Sequence, residues 1–152
     1  MSYTNIEARQ QMLDALAAAT EQLARAVAAL SAAYEQLDEQ QGDVLEAQLF
    51  RPVQRAYGRA QRTHSEFADR HGIDRRQFTI PTAEAPSTGT RGYIEHALDA
   101  VGAAEQELVS LQDSLMPIEV GDAELRAGLT DVRQLIAPLA LRGRELLRVL
   151  GR

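Results

Sequence analysis

Cysteine, tryptophan and lysine are all absent from the 152 residues, so the 16 basic side chains are arginine throughout. Without cysteine the chain has no disulfide, thiolate nucleophile, zinc ribbon or iron–sulfur cluster, and any metal site would fall to three histidines. No apolar run approaches the roughly 20 residues that a spanning helix needs, so no membrane association is expected. Positive charge is also in deficit. A net charge of −6 argues against sequence-independent phosphate binding and makes a nucleic-acid partner unexpected. The opening Met1-Ser-Tyr-Thr-Asn-Ile-Glu-Ala-Arg9 has neither a basic nor an apolar leader segment, which points to a cytoplasmic protein. Arginine without lysine, in an alanine-rich chain, reads as the coding bias of a GC-rich bacterial genome.

What is present is a soluble globular balance, 45% hydrophobic and 25% charged, of a length that suits one domain. From Ile6 onward the apolar residues alternate by three and four: Leu13, Leu16, Thr20, Leu23, Val27, Leu30, Tyr34 and Leu37. That is the seam of a long amphipathic helix, predicted over 4–41, with alanines on its flanks that admit a close neighbour. Gly42-Asp43 is then read as a stop and a cap. A second seam, Leu45, Leu49, Val53, Ala56, Ala60, Thr63 and Phe67, predicts a helix over 43–71 that Pro52 should kink or interrupt. Residues 72–90 carry no helical period and hold two prolines, so they are expected to form a long loop, pinned at Phe78 and Ile80 and mobile over 85–89. Ile94, Ala97, Val101, Ala104, Leu108, Leu111 and Leu115 predict a third helix over 91–116. Leu125, Leu129, Val132, Ile136, Leu139, Gly143, Leu146 and Leu150 predict a fourth over 122–150, bent at Pro138, with Gly128 and Gly143 admitting a neighbour.

Four such helices in one domain spanning 1–152 suggest an all-α, antiparallel up-down-up-down four-helix bundle with one long loop between helices 2 and 3. The charge distribution points the same way. Net charge runs −6 over 1–50, +4 over 51–76, −8 over 77–125 and +4 over 126–152, which in that topology sets opposite signs on every adjacent pair.

Side-chain chemistry offers few candidates. Arg51, Arg55 and Arg62 fall within about 40° of one another on the helical wheel, opposite the apolar stripe, as an outward face. No aromatic residue joins them to stack nucleic-acid bases. Arg59 and His64 have the Arg-x4-His spacing of metal-independent helical ribonucleases, yet five residues of helix turn them about 140° apart. Positions three before His64, His71 and His96 are Gln61, Ala68 and Tyr93, so the Glu-x-x-His pairs of di-metal bundles are missing. Tyr3-Thr-Asn-Ile-Glu7 and Tyr34-Glu-Gln-Leu-Asp38 fit the Tyr-x-x-x-acid signal of type VII secretion substrates, whose companion turn needs a tryptophan this chain lacks.

Phe50, Tyr57, His64 and His71 recur every seven residues beside the core stripe. With Leu141, which points away from the fourth seam, they form the candidate interface. The expected function is that of a non-catalytic structural or protein-interaction module, self-associating or part of a larger assembly, with no cofactor and no metal. The alternatives are a bundle that binds a small ligand between its helices, or a ribonuclease-like protein using Arg59 and His64.

Overall fold

The computed structural model describes residues 2–85 and 88–150, and these are all-helical, with no strand. The helices are α1 (Ser2–Glu35), α2 (Glu39–Leu45), α3 (Arg51–Arg70), α4 (Gly89–Asp113), α5 (Met116–Glu119), α6 (Ala123–Ile136) and α7 (Leu139–Leu150). A π-helical turn, Glu46–Phe50, joins α2 to α3. In it the Arg51 N–H bonds to the Glu46 carbonyl five residues back, a local change of hydrogen-bond register immediately before Pro52 that lets the rod continue through the proline. At the other proline α6 and α7 separate, with Ala137 and Pro138 in a turn.

The first helix ends earlier than its seam suggests. Asp38, not Asp43, caps the next helix, its carboxylate accepting from the Gln41 N–H at 2.8 Å. Gly42 is no stop. It is buried inside α2, where a Cβ would stand 3.2 Å from the Tyr34 ring. The end of α3 does fall where glycine predicts. Gly72 has φ 66°, and the Ile73 N–H reaches back to the Ala68 carbonyl at 2.8 Å, closing a left-handed C-cap. The third rod stops at Asp113, and Pro117 starts the separate α5.

The seams form one core. Leu23, Leu30, Val101, Leu108, Val132 and Ile136 all lie buried in it, while Tyr34 and Leu115 at the rod ends are exposed. The predicted close approaches occur, since a Cβ on Gly128 would collide with Thr63 and one on Gly143 with Leu98.

The order of directions differs from the up-down-up-down expectation. Arg9 near the start of α1 donates to the Val120 carbonyl at 3.1 Å, and Thr90 at the start of α4 donates to Gln36 just past the end of α1 at 2.7 Å. α1 and α4 therefore run antiparallel. So do α1 and α3, because Tyr34 meets Phe50 and Gly42 at one end while Asp14 faces His64 at the other. Helices α3 and α4 consequently share a direction, and α6–α7 returns against both: Arg70 pairs with Asp122, Arg59 with Asp131, and Arg91 with the Leu147 carbonyl. The order is up, down, down, up.

The long loop explains it. Residues 72–85 rise along the molecule as a strap, Arg76 pairing with Glu21 and Phe78 packing on His64. Phe78 is half-buried against the core, but Ile80 is exposed, contrary to the expectation that both dock. Of the stretch 85–89 expected to be mobile, residues 86 and 87 lie outside the described residues. The charge rule fails for the same reason. The most extensive contact joins α1 and α4, which belong to the two acidic segments and which both bury alanines, among them Ala26, Ala33, Ala97 and Ala104, small side chains that admit a close neighbour whatever its charge.

Candidate functional site

The seven-residue stripe on the second rod turns inward. Tyr57 and His64 are 8% and 3% exposed, so neither can meet a partner, and the expected interface is corrected at both. Phe50 is half-buried and tilts against the Tyr34 ring at 6.2 Å. His71 stacks on Phe67 at 4.2 Å, and its Nε2 lies 2.9 Å from Asp122 Oδ2. Leu141 is 60% exposed. In the secretion-like spacing, Tyr34 rests on Phe50 and Gly42, and the Tyr3 side chain lies outside the described residues.

His64 is the most constrained titratable group. Its ring meets Phe78 edge-on at 5.3 Å, and its Nδ1 is buried without a hydrogen-bond partner. Burial pushes its pKa down and Arg76 adds to that, while Asp14 and the Leu13 carbonyl pull the other way without offsetting it. With Phe78 against its ring, His64 is almost wholly closed off from solvent. Arg59 faces α6 instead, with its Nε 3.1 Å from Asp131 and its Nη1 3.3 Å from Thr63 Oγ1. The ribonuclease-like pair therefore does not converge.

A polar hub missed by periodicity is built on Asp122, the N-cap of α6. Its carboxylate accepts two bonds from Arg70 at 2.8 Å, the His71 contact, and the Leu125 N–H at 2.8 Å. Burial alone would raise its pKa, but Arg70, His71 and the amide outweigh it and hold the carboxyl well below the usual range. The hub ties the end of α3 to the start of α6. In the sequence Asp122 stands out only as an aspartate at the head of the fourth predicted helix, the place of an N-cap. Among the described residues, no three histidine, aspartate or glutamate side chains are grouped to hold a metal ion. Among the described residues no helix is long and apolar enough to cross a membrane.

Comparison with protein-family models, curated proteins and solved structures finds no match to the chain. Its own surface is the remaining guide.

Two concavities stand out. One, of about 510 Å³, opens beneath the strap between α1 and α4, with Arg25, Glu84, His96 and Asp99 around alanines 28, 29 and 100. The other, of about 440 Å³, is a groove between α3 and α6 lined by Arg55, Arg59, Arg62, Asp131, Gln134 and Leu135. The arginine wheel was readable in sequence, whereas the α6 wall that makes it a groove was not.

The largest exposed apolar side chains include Leu115 and Ile118, 61% and 70% exposed, on and beside α5. That short helix is held firmly. Arg9 caps the Val120 carbonyl, Arg126 Nη1 donates to the Pro117 carbonyl at 3.0 Å, and Pro117 itself is buried.

Proposed function

We propose that the chain is a non-catalytic four-helix-bundle module that associates with a second copy of itself through the end formed by α5 and the start of α1. The observation that carries this reading is the fixing of α5 by two arginines, which leaves Leu115 and Ile118 exposed at the end of the molecule where α1 begins, and Ile6 in the first turns of α1 is itself 57% exposed. Large apolar side chains held rigidly in water gain free energy by being covered, at roughly 25 cal/mol per Å² removed from solvent. A two-fold pairing would cover each copy's patch with the other's. The interior supports a structural role. The buried hydroxyls of Thr20 and Thr63 are spent on the Leu16 and Arg59 carbonyls at 2.7 and 2.8 Å, and His64 is sealed.

Sedimentation over a concentration series tests the reading. Wild type is expected to pass from monomer to dimer in the micromolar range, and Leu115→Glu with Ile118→Glu to stay monomeric with unchanged helicity. A 16.7 kDa monomer at every concentration, or a dimer untouched by those substitutions, would overturn it.

A further inference from the structure

We propose that the groove between α3 and α6 is a binding site for a phosphoryl dianion, with guanidinium groups of α3 holding the phosphate oxygens and Leu135 bounding the apolar side. This site lies away from α5 and does not depend on self-association.

Three observations carry it. The first is charge: three guanidiniums, on Arg55, Arg59 and Arg62, line one concavity of about 440 Å³ with Asp131 as the single carboxylate. In a chain of net charge −6, that is a local reversal of sign, which a concave site focuses on whatever enters it. The second is donor supply. Asp131 occupies Arg59 Nε, and Thr63 takes a bond from Nη1. Among the described residues no carboxylate stands within ion-pair distance of Arg55 or Arg62. Their planar donor forks match phosphate oxygens. The third is shape. Gly58 lies one turn before Arg62, and a Cβ there would stand 3.4 Å from Arg62 Nη1. That contact places the Arg62 guanidinium back along α3, one turn toward the level of Arg55 and Arg59, and all three line the same groove.

Net charge argues against a long polyanion, and no aromatic side chain is among the lining residues to stack bases. The chemistry therefore favours a single phosphoryl group, free or attached to a small apolar body that would contact Leu135. Asp131 acts against the ligand and limits affinity. Neutralising it should tighten binding.

The test is titration of the full chain with inorganic phosphate and with phenyl phosphate at constant ionic strength, read by amide chemical shifts. Saturable shifts at α3 and α6 are expected, about tenfold weaker in Arg55→Gln and in Arg62→Gln, from loss of a charge-assisted contact, and stronger in Asp131→Asn. Arg144→Gln on α7 should leave them unchanged. Tighter binding of phenyl phosphate than of phosphate would identify an organic phosphate as the ligand class, and equal binding the free ion. Shifts that never saturate, or an Arg144→Gln variant as weak as the groove variants, would overturn the proposal.

Discussion

At the residue scale, the same amino acid does opposite work according to what faces it. Gly128 is where α6 crosses Thr63, while Gly102 stands exposed on α4 with nothing within 4 Å of the position a Cβ would take. Gly128→Ala is expected to destabilise by about 1–3 kcal/mol through overpacking, and Gly102→Ala to stabilise by about 0.5–1 kcal/mol by removing helix-interior flexibility. Paired denaturant titrations check both signs. His64 gives a pH dependence. Its folded pKa lies below the ordinary 6.5, so its contribution is fully present above the unfolded value and is lost as pH falls through the folded one. The melting temperature should therefore drop as pH falls below the ordinary histidine value of 6.5, and His64→Leu should flatten that slope. Equal slopes in both proteins would refute the assignment. Asp122 acts lower. Its depressed carboxyl sustains stability above the usual aspartate range and loses it on further acidification.

At the element scale, the strap is the least protected piece of backbone. Phe78 and the Arg76–Glu21 pair hold it, while Ile80 adds nothing. Limited trypsin digestion is expected to cut at Arg75, Arg76 or Arg91 before any helix interior, because local opening costs least where apolar contacts are few. Phe78→Ala should speed the first two cuts several-fold without changing cleavage within 51–70. A rate unaffected by Phe78→Ala would mean that the ring does not anchor the segment. Helix seams of period three and four are legible element by element, since each apolar side chain reports its own face. Helix ends are less so. Gly42 and Asp43 look like punctuation, yet Tyr34 needs the glycine for its ring and Asp38 supplies the cap.

At the scale of the whole molecule, the strap length and the helix order are one fact. Helix α4 has 25 residues, so about 37 Å separates its ends, and a chain returning along it needs about 11 extended residues. Removing four strap residues, 82–85, should leave a span that still reaches and a fold near wild type. Removing ten of the residues between α3 and α4 should leave about 26 Å of reach and abolish the monomeric fold or force exchange between chains. Circular dichroism and sedimentation distinguish these outcomes. A ten-residue deletion that stayed a stable monomer would exclude the up-down-down-up order.

The sequence by itself determined the helices, their seams and the core, because hydrophobic period and proline or glycine placement act through local geometry. It also excluded thiol chemistry by residue type and the Glu-x-x-His pairs of di-metal bundles by spacing. Tertiary structure decided which helices are neighbours, and in doing so turned Tyr57 and His64 from candidate contacts into buried groups. It joined His71 to Asp122 and set the arginines of α3 against Asp131 and Leu135. Each of those outcomes depends on a face supplied by a distant segment. Surface charge, worth only about 0–1 kcal/mol per exposed pair, yielded to the close packing of alanines between α1 and α4, which carries no sign.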